Sequence, residues 1–190
     1  PTPASSSPGH ENTGTNLSIM EISSLTCAKT GGSLHSLSFA PIVADVIRQN
    51  GCKSVSDYGA GKMRLLDGLR QSGVEPIPYL PYDPVFPEYG EPKPADLVCC
   101  IDVLEHIEPQ LIDNVILDLS GITTNIGFFS IHMGPAVKTL SDGRNAHLIQ
   151  RPSSWWLNKL TNYFEIHHLQ SHNMMGRGIW LIVSRKVELP

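Results

Sequence analysis

Nowhere in the 190 residues is there a run of about 18 apolar side chains, so no membrane-spanning helix is expected. Cysteine is scarce: Cys27, Cys52, Cys99 and Cys100 are the whole supply. None is placed in a C-x-x-C pair, and Cys99-Cys100 lies in a run that reads as a buried strand. Neither disulfides nor a bound metal are therefore expected, and a reducing, cytoplasmic setting is. Internal repeats are absent, as is an apolar leader segment. Pro1 to Asn16 is rich in Ser, Thr, Pro and Gly and reads as a disordered tail. The chain opens on Pro1 without an initiator Met, as expected of a processed or trimmed chain. Residues 17–190 read as one domain, long enough to bury a core.

Charge is sparse too, at 17% of residues with a net −4, but it is unevenly spread. Residues 1–137 carry seven basic against 15 acidic side chains, whereas residues 138–190 carry seven against three. A solvated surface would account for this. So would a cationic ligand on one side of a crevice and an anionic acceptor on the other.

Several elements can be read from what is present. Leu17 to Leu25 could form a short helix, closed by a break at Gly31-Gly32. Pro41 suits a helix start, with Ile42, Val43, Val46 and Ile47 on one side and Gly51 as the stop. Ser54 to Tyr58 reads as a strand. Lys62 to Gln71 reads as a helix with Met63, Leu66 and Leu69 inward. Ile77 to Tyr82 is a strand whose prolines make it a poor central one. The stretch from Pro84 to Pro94 is too short and too Pro-rich for a further helix and strand. Asp96 to Ile101 is a strand buried on both faces. Pro109 opens a helix that presents Leu111, Ile112, Val115, Ile116 and Leu119 and ends at Gly121. Ile126 to Met133 is the next strand, followed by a loop, Gly134 to Gln150, with a turn at Asp142-Gly143. Ser153 caps a helix bearing Trp155 and Trp156. Phe164 to Leu169 and Gly178 to Arg185 form a closing hairpin around Gly176. The alternation implies a Rossmann-like α/β fold: a doubly wound, mostly parallel sheet with a C-terminal antiparallel hairpin and a third strand reduced or missing.

The chemistry gathers around Asp57-Tyr-Gly-Ala-Gly61. Strand, glycine turn and helix make the corner where open α/β sheets hold ligands, beyond the carboxyl ends of the strands. Gly59 and Gly61 leave room for a ligand to approach the backbone closely. Asp57, Asp83 and Asp102 each end a strand, so all three fall on one rim. Strand ends also carry acids merely as polar caps, but three acids beside a G-x-G favour a ligand site. Asp83 lies 22 residues after Gly61, a spacing that suits a ribose-binding carboxylate. A dinucleotide wants G-x-G-x-x-G, and Arg64 stands where the third glycine would be. An acid-lined crevice suits the cationic S-adenosylmethionine better than a pyrophosphate.

These residues resemble the class I S-adenosylmethionine-dependent methyltransferases. Asp57-Tyr-Gly-Ala-Gly61 is similar to that family's first motif, and Asp83 matches its ribose-binding acid. Asp96-Leu-Val-Cys-Cys-Ile-Asp-Val-Leu-Glu-His-Ile107 resembles the fourth-strand motif of its small-molecule branch. His147-Leu-Ile-x-x-Pro-Ser-Ser-Trp-Trp is similar to the segment after strand five. The resemblance spans roughly residues 41–186. It implies that S-adenosyl-L-methionine is the cofactor, that Asp57, Gly59 and Gly61 hold its methionine end, that Asp83 holds the ribose, and that Asp102 and Val103 line the crevice beside the sulfonium. Family members usually carry a helix and a third strand between the second-strand acid and the fourth strand. Here Asp83 and Asp96 are only 13 positions apart, which leaves Pro84, Val85 and Phe86 to pack on the adenine.

A sulfonium is already activated, so alignment is the main demand on the protein. A hydroxyl acceptor would also use a general base. His132 and His147 are the candidates; His106 suits a structural or cofactor-loop role. Lys138, Arg144 and His147 are expected at the mouth of the crevice, with Arg144 binding an anionic acceptor group. The motifs of amino-methylating DNA enzymes and the catalytic Pro-Cys are missing, and basic and aromatic residues do not interleave, so a small anionic or polyhydroxylated acceptor and O-methylation are favoured over long nucleic acid. The oligomeric state cannot be read from the sequence. Two rivals stay open: a non-catalytic, methyltransferase-like binding protein, and an NAD-dependent oxidoreductase.

Overall fold

The computed structural model describes residues 34–173 and 176–187. The expected tail, the Leu17–Leu25 helix and the Gly31-Gly32 break lie outside the described residues.

Short β-branched and aromatic runs become strands: β1 (Val55–Tyr58), β2 (Tyr79–Tyr82), β3 (Ala95–Ile101), β4 (Thr123–His132), β5 (Phe164–His172) and β6 (Gly178–Arg185). They form one sheet in the order β2-β1-β3-β4-β6-β5. The pairs β1/β2, β1/β3 and β3/β4 are parallel, while β6 runs antiparallel to both β4 and β5. Beyond β2 the sheet has no further strand among the described residues. The short segment after Asp83 folds instead into a 3₁₀ turn, Pro87–Tyr89. Thus β2 is an edge strand, where Pro78 and Pro81 do least harm to the ladder.

Among the described residues four α-helices cover the sheet: α1 (Leu34–Asn50), α2 (Arg64–Gln71), α3 (Ile112–Ile122) and α4 (Ser153–Leu160). On one face α1 and α2 pack Phe39, Val43, Ile47, Leu65 and Leu69 against Leu97, Cys99, Phe128 and Trp180. On the other, α3 and α4 pack Ile112, Ile116, Leu119, Trp156 and Leu160 against Val98, Cys100, Phe129 and Leu181. β3 thus alternates between two cores, which is why its apolar run is unbroken. Cys52, Cys99 and Cys100 are buried free thiols. Burial pushes the Cys99 and Cys100 thiols well up, keeping them protonated.

Several expected boundaries move. Pro41 lies inside α1 rather than at its start. Proline costs the helix the bond that Leu37 would accept, but Phe39, Ala40, Val43 and Ala44 are all essentially buried, and that packing outweighs the loss. In α2 the inward positions are Leu65, Gly68 and Leu69, not Met63 and Leu66. Gly68 faces Ala40 so closely that a Cβ there would collide with it, so α1 and α2 can meet backbone to backbone. α3 begins at Ile112, three residues after Pro109, and runs through Gly121 straight into β4. Pro152, not Ser153, is the cap of α4, and Ser153 makes no capping bond. Among the described residues no helix is long and apolar enough to cross a membrane.

Candidate functional site

The parallel register brings the carboxyl ends of β1, β2 and β3 to one rim. Val55, Ser56, Asp57 and Tyr58 face Tyr79, Leu80, Pro81 and Tyr82 in order, and Asp57 also faces Cys99. Asp57, Asp83 and Asp102 are thereby aligned within three adjacent strand ends.

The chain leaves β1 in a left-handed turn, with Gly59 at φ 84° and Gly61 at φ 49°. The Gly59 and Ala60 amides donate to the Tyr82 carbonyl at 2.7 and 2.9 Å. A Cβ on Gly59 would collide with Val103, so the glycine turn and the loop after β3 touch, and only glycine fits between them. Met63 is also left-handed, at φ 55°, and sets the start of α2.

Asp83 ties this turn to β2. One carboxylate oxygen accepts from the Gly61 amide at 2.9 Å and the other from the Val85 amide at 2.9 Å. A carboxylate has about four acceptor positions, so two amides leave capacity for two hydroxyls. The 3₁₀ turn curls back over the same place. Tyr89 donates its hydroxyl to the Gly61 carbonyl at 2.9 Å and stacks on Phe86, with 5.3 Å between ring centroids.

Asp57 is almost fully buried and accepts a hydrogen bond from the Tyr79 hydroxyl. Burial raises its carboxyl from 3.8 to about 7; the Tyr79 hydroxyl opposes the rise and the nearby Asp83 charge adds to it.

Asp102 has a left-handed backbone, φ 52°, although it is not glycine. Ser130, which lies opposite Ile101 across the β3/β4 ladder, holds it there: the Ser130 hydroxyl donates to Asp102 Oδ1 at 2.6 Å, and the Asp102 amide lies 3.1 Å from both the Ser130 carbonyl and hydroxyl oxygens.

Beyond Asp102 the chain makes a 3₁₀ turn, Leu104–His106. Glu105 is fully buried; its Oε1 accepts from the His132 amide at 3.0 Å, and its carbonyl accepts from Ile149 at 3.0 Å. Burial, with the Asp102 charge second, pushes the Glu105 carboxyl well up. His106 Nδ1 lies 2.8 Å from the Ala146 carbonyl and His147 Nδ1 2.6 Å from the Gly134 carbonyl. The His147 ring lies between those of His106 and His132, at centroid distances of 4.7 and 4.8 Å. Burial, then the neighbouring His147, lowers the His106 imidazole to about 4.

Arg144 is placed in the same loop but spends its guanidinium on the protein. It makes a two-pronged bond to Glu108 at 2.9 and 3.1 Å and a third bond to Asp142 at 2.8 Å. It fastens the 134–150 loop to the segment leading into α3. Lys138 is exposed, while Trp156 is core and Trp155 sits beneath Lys159, 5.3 Å from its ring centre.

Of the sequence-derived candidates, Asp57, Gly59, Gly61, Asp83, Asp102 and Val103 stand together at the β1–β3 rim. His132 and His147 stand together at the end of β4. Arg144 stands apart in its carboxylate pair. Sequence reasoning did not single out Tyr79, Tyr89, Ser130 or Glu105. Ser130 could have been found only by knowing the β3/β4 register, and Glu105 only by seeing that a charge inside a structured motif faces inward.

No family model matches the chain, and no curated protein matches it in sequence. Its fold has clear neighbours among solved structures. The 1,6-didemethyltoxoflavin-N1-methyltransferase of Burkholderia thailandensis, with S-adenosylhomocysteine bound, aligns over 80% of this chain and 79% of its own at 14% identity and a TM-score of 0.57. An S-adenosylmethionine-dependent methyltransferase of Clostridium acetobutylicum aligns over 80% and 92% at 10% identity and a TM-score of 0.55. The magnesium protoporphyrin IX methyltransferase of Synechocystis PCC 6803, with S-adenosylhomocysteine bound, aligns over 80% and 84% at 15% identity and a TM-score of 0.53. The chain therefore has the Rossmann-like fold of class I methyltransferases.

Proposed function

We propose that this protein is an S-adenosylmethionine-dependent methyltransferase acting on a small, anionic or polyhydroxylated acceptor, with oxygen as the methylated atom. One observation carries the reading: acid, glycine turn and acid converge at the β1–β3 rim, and the glycine turn is packed against the loop after β3. Neighbours of the same fold were crystallised with the demethylated cofactor bound, which supports the same donor here.

In this reading the side-chain-free backbone at Gly59 and Gly61, whose amides are spent on Tyr82 and Asp83, lets the methionine end of the cofactor approach closely, and the Asp57 carboxylate faces its charge. Asp83 accepts the ribose hydroxyls with the lone pairs its two amide bonds leave over. Phe86 and Tyr89, already stacked, offer the adenine an aromatic edge in place of the missing third-strand region. Asp102 and Val103 border the sulfonium. Bound there, the cofactor would supply a methyl group already activated by its sulfonium, to be handed to an acceptor oxygen aligned opposite the sulfur, which would keep the electron pair. The acceptor's proton passes to His132 at the end of β4, with His147, whose ring is tilted against it at 4.8 Å, as the alternative base. Arg144 acts on the acceptor indirectly, by keeping the 134–150 loop in place.

Titration of the purified chain with S-adenosylmethionine, S-adenosylhomocysteine and NAD tests the donor. Binding of the first two and not of NAD is the expected result; stabilisation by NAD alone would overturn the reading in favour of an oxidoreductase. Donor binding without turnover across a panel of sugar, phenol and carboxylate acceptors would favour a binding protein.

A further inference from the structure

The 102–108 turn and the 134–150 loop meet at Glu105, His106 and His147, whose side chains offer one carboxylate oxygen and two ring nitrogens all within 4.8 Å of one another. We propose that these three residues form a binding site for a divalent first-row transition-metal ion such as Zn²⁺, Mn²⁺ or Fe²⁺.

Two features of the cluster support this independently of its spacing. First, Glu105 Oε2 is buried and has no hydrogen-bond partner, while Oε1 is fixed by the His132 amide. Leaving a carboxylate oxygen buried and unmatched is costly, and a cation supplies what it lacks. Second, both histidines make through Nδ1 the backbone bond that metal-binding histidines make. A carbonyl oxygen can only accept, so Nδ1 of His106 must carry the hydrogen it gives to Ala146, and Nδ1 of His147 the one it gives to Gly134. That tautomer puts the lone pair of each ring on Nε2 and fixes the ring plane, the arrangement in which ligating histidines almost always donate their other N–H to a backbone or carboxylate oxygen.

The donor set chooses the ion. Imidazole nitrogens favour transition metals, whereas Mg²⁺ and Ca²⁺ want all-oxygen shells. Metal–ligand bonds of about 2.0–2.2 Å put ligand atoms roughly 3–4 Å apart, so side-chain rotations on the order of an ångström close the site around an ion. Three protein donors leave a position open for an oxygen of water or of a hydroxyl compound. The cysteine spacing could give no sign of such a site, because its third ligand arrives from a loop 41 residues after His106.

The test uses the full chain, stripped with a chelator and desalted. Titration with Co²⁺ is expected to saturate at one equivalent with visible ligand-field absorption, which added Zn²⁺ abolishes. Glu105→Gln and His147→Gln should each weaken Co²⁺ binding at least tenfold. His167→Gln, on the exposed edge strand, should leave it unchanged. Failure of the stripped parent chain to take up one equivalent of Co²⁺ or Zn²⁺ overturns the proposal, as does full-strength uptake by folded Glu105→Gln. Should both ligand variants fail to fold, pulsed electron paramagnetic resonance of the Cu²⁺-loaded parent chain decides: two coordinated imidazoles support the site, and none or one refutes it. The proposal does not depend on methyl transfer. Donor binding to the stripped protein is measured separately, so metal uptake and the methyltransferase reading can fail one without the other.

Discussion

Asp57 is the residue at which burial and charge conflict most visibly. Its carboxyl, raised to about 7, is still protonated in the folded chain at pH values where the unfolded chain has already ionised. The folded state then binds the extra proton, so this residue's contribution to stability is greatest below about pH 4 and falls as pH rises to about 7. Asp57→Asn should flatten that decline, which denaturant melts across pH 4–8 would show. A cationic donor placed against Asp57 favours its ionised form, so cofactor binding near pH 6.5 should release a proton and tighten with rising pH. Calorimetry in buffers of different ionisation enthalpy reads this directly; heats independent of buffer would separate Asp57 from the cofactor. Asp83 has a different task, since both its oxygens already hold amides. Asp83→Ala should weaken cofactor binding by roughly 1.5–3 kcal/mol, the worth of a hydrogen bond to a charged group, while the fold persists because the residue is at the end of an edge strand. Unchanged affinity in a folded variant would remove it from the site.

At the scale of elements, the contact between the glycine turn and the loop after β3 makes a sharp prediction. Gly59→Ala meets both a left-handed backbone, which costs a non-glycine residue roughly 1–2 kcal/mol, and the Val103 side chain. It should lower the melting temperature and the cofactor affinity. Adding Val103→Ala should restore part of both, and a thermal melt of the pair against each single variant reads the coupling. Arg144→Ala, by releasing the loop from Glu108, should raise the KM for the acceptor and leave the cofactor Kd unchanged; steady-state kinetics with an identified acceptor separates the two. These elements were unequally legible in the sequence. The strands and the glycine turn could be read because β-branched runs and G-x-G act through neighbours a few residues away. Helix α1 was legible from Pro41 to its end at Asn50 but not in its first two turns, since proline's local penalty gives no hint of the packing by Phe39, Val43 and Ala44 that overrides it. The Asp102–Ser130 pair and the meeting of His106 with His147 are products of strand register and loop return, and no local pattern encodes them. The acids of the rim were found because strand ends are local; their partners were missed because partners are not.

For the molecule as a whole, a ligand that binds only the folded state raises stability by RT ln(1 + [L]/Kd), about 2.7 kcal/mol at a hundredfold excess over Kd. S-adenosylmethionine should therefore shift the melting temperature by several degrees at saturation, and NAD should not; a scan with each donor is the quickest check of the overall reading. The sheet's two borders bear on a different kind of behaviour. β2 is four residues long and includes Pro81, with Pro78 just before it, and β5 carries a register irregularity between Ile166 and His168 and mostly exposed side chains. Short proline-bearing borders and bulged polar ones both make poor templates for a foreign strand. Crowding the protein should thus not lengthen its sheet: a concentrated solution is expected to precipitate, when it does, through loosely ordered face contacts rather than by growing fibrils.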